Sequence, residues 1–314
     1  MGSASKLSSL ASVAATREVL DRHGLSTKHS LGQNFLINDD ILKKIVALAE
    51  VGEADRVLEV GPGIGTLTIA LLKSAAHVTS VERDADLPAV LAETLAPWAE
   101  KFTLISKDAL DLTVADLADT PASALVSVSP LPNKLVANLP YAVAATVVLG
   151  FFERFDFLES ATVMVQKEVA DRMAATPGNK NYGAYTVKLS LYAEPAGRFS
   201  VSPGNFFPPP HVESVVLRLN RRVPLDGEGR PLSPELVRAT CAMADASFAS
   251  RRKTLANSCK TYFSGRGDEG KSTVTQLPAI FAAAGVDAAR RGETLTQAEF
   301  INLGKAYLAA VAAR

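Results

Sequence analysis

Between residues 56 and 166 short apolar runs alternate with amphipathic ones. "RVLEVG" (56–61), "HVTSVE" (77–82), "FTLISKD" (102–108), "KLVANL" (134–139) and "SATVMVQ" (160–166) read as strands. "TLTIALLKSA" (66–75), "DLPAVLAETLA" (86–96), residues 142–153 and a segment through Met173 read as helices. Strands alternating with helices predict a doubly wound parallel sheet, an α/β fold. Ahead of it, Asn38 is placed to cap a helix whose apolar stripe is Ile41, Leu42, Ile45, Val46 and Ala49. Behind it, "TVKLSLYAE" (186–194) and "SVVLRLN" (214–220) have strand character and are expected to pair antiparallel.

From Ser233 the pattern turns helical. Leu236, Thr240, Met243, Ala244, Phe248, Leu255 and Cys259 recur at helical spacing, and Thr296 with Glu299 forms a capping-box pattern before a last helix. The Gly/Pro-rich "VPLDGEGRPLSP" (223–234) reads as a linker. The expected organisation is an N-terminal tail (1–27), an α/β domain (28–222) and a small helical domain (223–314).

Composition changes this picture little: 314 residues, 47% hydrophobic and 21% charged, suit a soluble globular chain with two domains. The longest apolar stretch, Leu135 to Phe152, is broken by Asn138 and Pro140, so no transmembrane helix is expected. No signal peptide is evident, and Cys241 and Cys259 fit neither a metal site nor a disulfide framework, so a cytoplasmic setting is expected. His23, His29, His77 and His211 are scattered, read as surface residues, and suggest no metal.

Charge adds more. The formal net charge is zero, yet residues 48–120 carry thirteen Asp/Glu against five Lys/Arg, while residues 218–260 carry nine Lys/Arg against four Asp/Glu. A split of this kind suggests a polyanion partner for the later segment. Within it, Arg251, Arg252 and Lys253 are expected on a helix whose stripe includes Phe248 and Leu255, and are candidate phosphate contacts.

In an open α/β sheet ligands bind beyond the carboxyl ends of the strands. Those ends supply "EVGPGIGT" (59–66) with Gly61, Gly63 and Gly65, then Glu82, Asp108 and Asn138. A dinucleotide fingerprint would place glycine where Thr66 stands. G-x-G-x-G followed by an acid on each of the next two strands leans toward S-adenosylmethionine, with a nicotinamide oxidoreductase as the rival. Asn138-Leu139-Pro140-Tyr141 then has a chemical reading. Aminopurine nitrogen is a poor nucleophile because its lone pair is delocalised. Acceptors on its two N–H groups, the Asn138 oxygen and the Leu139 carbonyl, would expose that lone pair; Pro140 would fix the turn and Tyr141 would stack on an extruded base.

"SLGQNFLIND" (30–39), "LEVGPGIGTLT" (58–68), "NLPY" (138–141) and "FFPPPHVESVV" (206–216) together resemble the ribosomal RNA adenine N6-dimethyltransferases. "QKEVADRM" (166–173), "NYGAYTV" (181–187) and "FASRRKTLANS" (248–258) extend the likeness to about residues 28–308. It implies a Rossmann-like methyltransferase sheet with a small C-terminal helical, RNA-binding domain. The implied activity is S-adenosylmethionine-dependent dimethylation of two adjacent adenines in the 3′-terminal hairpin of small-subunit ribosomal RNA. The macrolide-resistance enzymes acting on large-subunit RNA, or a non-catalytic assembly factor, are the alternatives. By resemblance, Asn34 and Leu36 close over the methionine end of the cofactor and Gly61, with Gly63, lies beside it. Glu82 holds the ribose, Asp108 meets the cofactor's adenine, and Asn138 serves both cofactor and target amine. Phe206 would pack the flipped base opposite Tyr141. The partner implied is the small ribosomal subunit or its precursor, and a monomer is expected. "SVSPLPNK" (127–134) looks longer than the family pattern.

Overall fold

The computed structural model describes residues 6–27, 33–118 and 131–313. Its strands are β1 (Phe35–Leu36), β2 (Arg56–Val60), β3 (His77–Glu82), β4 (Phe102–Ser106), β5 (Lys134–Asn138), β6 (Ser160–Gln166), β7 (Ala193–Val201), β8 (Phe206–Phe207) and β9 (Ser214–Arg221). The helices up to the end of the sheet's parallel part are α1 (Val13–Arg22), α2 (Asp39–Ala49), α3 (Thr66–Leu72), α4 (Leu87–Thr94), α5 (Val114–Ala118), α6 (Ala144–Arg154) and α7 (Lys167–Met173). Later come α8 (Ala184–Ser190), α9 (Pro234–Phe248), α10 (Leu255–Ser264), α11 (Gly267–Ala284) and α12 (Gln297–Ala312). The chain divides into two compact units, Met1–Ala170 with Pro195–Arg221, and Asp171–Glu194 with Arg222–Arg314.

In the first unit seven strands form one sheet in the order β4-β3-β2-β5-β6-β9-β7. The neighbours from β4 to β6 are parallel, and β9 joins β6 antiparallel, with Gln166 opposite Ser214. Strand order reverses between β2 and β5, and such a switch point opens a crevice at the carboxyl edge. Strand β3, inside the sheet, has all six residues buried, including His77, whereas β4 at the edge has none. His77 is therefore no surface residue: it bonds Thr103 Oγ1 at 2.9 Å, and burial with the Arg56 charge pushes it down to about 4.

The N-terminal segment departs from the expected tail. Ser12 caps α1 by accepting the Ala15 N–H at 3.2 Å, and Leu10, Ala11, Val19 and Leu20 enter the same core as α2, α3 and α4. Asp39 of α2 accepts the Ser8 N–H at 2.9 Å, and the Arg17 guanidinium sits 4.9 Å over the Phe207 ring. The Ser/Ala-rich composition hides a 3–4 apolar spacing in this stretch. At α2 itself the expected cap holds, with Asn38 Oδ1 accepting the Asp40 N–H at 2.9 Å.

Residues 186–194 differ as well. They were expected to be a strand, but Ala184–Ser190 is a helix and the strand begins only at Ala193. Val187, Leu189 and Leu191 are all fully buried, so their alternation reflects a helix enclosed on several sides, and the capping bond from Gly183 N–H to Thr186 Oγ1 at 3.3 Å fixes its start. Residues 214–220 lie between two strands, antiparallel to β6 on one side and beside β7, which begins at Ala193, on the other. Residues 171–194, placed in the α/β domain by the sequence, belong to the second unit. That unit has its own core, in which Phe248 lies 5.9 Å from both Tyr182 and Phe300. The capping box at Thr296 and Glu299 is present.

Candidate active site

A cavity of about 380 Å³ opens where β2, β3 and β5 end. Gly61, Gly63, Glu82, Asp108, Asn34, Leu36, Asn138, Leu139, Pro140 and Tyr141 all line it. The sequence therefore anticipated one wall from each of the four strand ends.

The glycine loop is shaped by backbone necessity. Gly61 has φ +69° and Gly63 φ +60°, and a Cβ on Gly63 would lie 2.9 Å from Phe35 Cε1. Left-handed backbone and a close ring leave glycine as the residue that fits. The loop runs into α3 at Thr66, whose Oγ1 is buried with no hydrogen-bond partner among the described residues. Thr66, which at first marked only a departure from the dinucleotide pattern, presents an orphaned polar atom on this wall.

Glu82 closes β3, buried, with Oε1 accepting the Asp84 N–H at 2.8 Å. Burial raises its carboxyl, against the lowering pull of the Asp84, Arg83 and Gly63 N–H groups. Asp108 Oδ1 accepts the Leu110 N–H at 3.0 Å and its Oδ2 takes Arg83 at 3.1 Å. Glu59 was missed by the sequence reading, because a glutamate inside a strand looks solvent-facing. It is 1% exposed, lines the cavity, and accepts Thr68 Oγ1 and Ser80 Oγ on Oε2, each at 2.7 Å. Burial pushes it up to about 7.

At the end of β5, Asn138 Nδ2 donates to the Asn34 carbonyl at 3.2 Å. A carbonyl accepts only, so this contact fixes which end of the amide is nitrogen. The Asn138 oxygen then points the other way, and no described residue bonds it. Pro140 packs against the loop, 3.6 Å from a Cβ position on Gly61. Tyr141 is half-buried, and its hydroxyl shares a 2.7 Å hydrogen bond with Ser214 Oγ.

Phe206 is not brought to this site. It is 2% exposed, registers with Leu36 in the β1–β8 ribbon, belongs to the core, and lines neither this cavity nor its neighbour. Tyr141 instead shares a second cavity with the Pro209–Val212 loop. That cavity, of about 180 Å³, is bounded by Tyr141, Gln166, Pro209, Pro210 and His211.

In the second unit, Arg251, Arg252 and Lys253 occupy a turn between α9 and α10 and not the expected helix. Arg251 donates to the Lys180 and Tyr182 carbonyls at 2.6 and 3.0 Å and pairs with Glu293 at 3.5 Å. Arg252 and Lys253 are exposed, Lys253 touching Thr261 Oγ1 at 3.3 Å. His29, residues 30–32 of the first motif and 127–130 of the long segment lie outside the described residues. No helix among the described residues is long and apolar enough to cross a membrane.

A sequence model of the family described as ribosomal RNA adenine dimethylase matches residues 24–302. The ribosomal RNA small subunit methyltransferase A of Geobacillus kaustophilus is 40% identical over 301 residues, 95% of this chain and 96% of that protein. The protein of the same name from Enterococcus faecalis is 39% identical over 301 residues, again covering 95% and 96%. Among solved structures, a dimethyladenosine transferase from Plasmodium falciparum superposes with a TM-score of 0.67 at 23% identity, over 86% of this chain and 95% of that one.

Proposed function

This chain belongs to the ribosomal RNA adenine dimethylase family, and from that premise we propose that it dimethylates N6 of two adjacent adenines in the 3′-terminal hairpin of small-subunit ribosomal RNA. Its methyl donor is S-adenosylmethionine, as for the family. The residues present suit that molecule. The glycine cradle admits close approach, Thr66 offers an unmatched polar atom, and acids stand at Glu82 and Asp108. Glu82 would hold the ribose hydroxyls, Asp108 the adenine, Gly61 and Gly63 the loop side, and Asn34 with Leu36 the cover. When bound, the cofactor's sulfonium supplies an electrophilic methyl group.

The observation that carries the reading is the Asn138 oxygen, which no described residue bonds and which the Asn138–Asn34 bond aims. That oxygen and the Leu139 carbonyl would accept the two hydrogens of the target amine and turn its lone pair outward. Catalysis is positioning plus preorganised hydrogen bonding, with no strong base required, because the proton leaves after transfer. Tyr141, held by Ser214, gives the base a face to stack on. Phe206 acts from behind, bracing Leu36 through the ribbon. Arg252 and Lys253 contact phosphates, while Arg251 secures its own turn. The setting is the cytoplasm and the acting species a monomer, on the small subunit or its precursor.

Tritiated methyl transfer onto unmodified small subunits, with large subunits in parallel and the modified nucleotides mapped, tests this. Two dimethyladenosines in the 3′-terminal hairpin are expected; label confined to large subunits would reject the substrate. Asn138→Ala should lower the single-turnover rate far more than RNA binding, and a rate within threefold of the parent would remove Asn138 from the chemistry.

A further inference from the structure

Beside the cofactor cavity, the second cavity has an apolar wall and one unmatched amide. Pro209, Pro210, Val212 and Tyr141 line it together with Gln33, Asn34 and His211. Gln166, half-buried at the end of β6, also lines it, and no described residue hydrogen-bonds its carboxamide. Its donor and acceptor remain open to solvent and therefore to a ligand that enters the cavity, where a hydrogen bond in partly dry surroundings adds to affinity.

Sheet geometry relates this amide to the catalytic one. Asn138 registers with Met164 on the neighbouring parallel strand, and Gln166 lies two residues further along that strand. Side chains two apart share a face. Asn138 and Gln166 therefore project from the same face, with Cα positions about 8 Å apart from strand spacing and rise. Gln166 also registers with Ser214, the fully buried residue that holds the Tyr141 hydroxyl. Amide, stacking ring and ring anchor are thus fixed to one another through β6 and β9.

Resting on the function proposed above, we propose that this cavity seats the ring of the target adenine and that the Gln166 carboxamide reads a ring nitrogen. The chemistry assigns the direction. Once Asn138 and Leu139 take the amine hydrogens, adenine keeps N1, N3 and N7 as acceptors and has no further N–H in RNA. The Gln166 Nε2 group is the complementary donor. Its contact also differs in kind from the others, because it does not use the amine. After the first methyl transfer only one amine hydrogen remains, so one of the two amine acceptors loses its partner. A ring contact persists unchanged and carries a larger share of the positioning for the second transfer. Gln166 is therefore a specificity-determining residue whose weight falls on dimethylation.

The test is Gln166→Leu, similar in size and unable to donate, assayed by single-turnover transfer onto unmodified small subunits with monomethyl- and dimethyladenosine resolved. Loss of one neutral hydrogen bond predicts the second transfer slowed about 3- to 10-fold, the first slowed less, and monomethyladenosine accumulating. S-Adenosylmethionine affinity should stay at the parent value, since Gln166 does not line the cofactor cavity. In a second arm, subunits reconstituted with 1-, 3- or 7-deazaadenosine at the target report on the parent protein alone. One of the three should reproduce the monomethyl accumulation, and Gln166→Leu should add nothing to it. A parent-like product ratio in Gln166→Leu, equal slowing of both transfers, or three deaza analogues behaving as adenosine in the parent would each overturn the assignment. Failure of the parent to methylate small subunits would instead overturn the proposed function and this inference with it.

Discussion

Replacing Glu59 by glutamine changes one atom in a buried network and should abolish that network's pH dependence. Glu59 accepts two hydroxyls on Oε2, and a glutamine oxygen can accept the same two. What changes is titration. Burial, aided by the nearby Glu82 charge, lifts the carboxyl from an ordinary 4.5 to about 7. A raised acid binds its proton more tightly folded than unfolded, so the parent loses stability as pH climbs from about 4.5 to about 7 and is level beyond. At 1.36 kcal/mol per unit that loss approaches about 3 kcal/mol. Glutamine does not titrate, so Glu59→Gln should match the parent near pH 4.5 and exceed it by about 3 kcal/mol at pH 8. Comparing variant with parent at each pH cancels His77, whose effect runs oppositely: its lowered value removes stability from both proteins as pH falls from about 6.5 toward about 4. Urea unfolding followed by Trp98, the single tryptophan, packed against the core of the same unit, reads the difference. A gap that stays constant between pH 5 and pH 8 would refute the reasoning. The stabilised variant should nonetheless bind S-adenosylmethionine more weakly, because the cationic ligand favours an ionised Glu59 on the cavity wall.

Glu82→Ala removes the proposed ribose carboxylate, a loss of about 1.5–3 kcal/mol for charge-assisted bonds. Calorimetry should show S-adenosylmethionine affinity down at least tenfold with the fold intact; unchanged affinity would take Glu82 out of the site. Gly63→Ala meets both a positive φ and the Phe35 ring, so it should cost about 1–2 kcal/mol or more in thermal unfolding and weaken cofactor binding. Gly178→Ala has the positive φ with nothing within 4 Å and should destabilise without touching affinity. Equal affinities for the two glycine variants would show that the Phe35 contact does not shape the cavity.

The parallel sheet was legible because strands buried on both faces lack a polar side, as β2, β3, β5 and β6 do, while the half-buried β4 stands at the edge. Their carboxyl ends then point to Gly61, Gly63, Glu82, Asp108 and Asn138. Where burial and periodicity stop agreeing, reading fails. Val187 and Leu189 inside a helix, with Leu191 at its C-cap, alternate like a strand, and small residues in α1 conceal its packing. The site shows the same limit. Glu59 resembles a polar strand residue until Thr68 and Ser80 are seen beneath it. Phe206 resembles a recognition aromatic until its register with Leu36 places it in the core. Motif order reveals which segments meet, but which side of a ribbon an aromatic faces is decided by strand register, which the sequence does not display.

The basic turn shows what that limit means for RNA binding. Three adjacent cations were expected to act alike on one helix, with their joint removal flattening the salt dependence. The turn separates them. All three are exposed, but Arg251 spends its guanidinium on two carbonyls and Glu293, whereas Arg252 and Lys253 pair with no carboxylate among the described residues. Each neutralised phosphate contributes about −0.7 to −0.9 to the slope of log affinity against log salt. Replacing Arg252 and Lys253 by glutamine should therefore flatten the slope by about 1.4–1.8, with S-adenosylmethionine binding unchanged. Arg251→Gln should leave the slope unaltered and destabilise the second unit by about 1 kcal/mol, since its half-exposed contacts are screened by water. RNA binding measured from 50 to 200 mM salt, beside the thermal loss of helical ellipticity, separates the two effects. If the double variant moves the slope by less than about 0.5, the turn contacts no phosphates. If Arg251→Gln moves it as far as the double variant does, the assignment of Arg251 to structure is wrong.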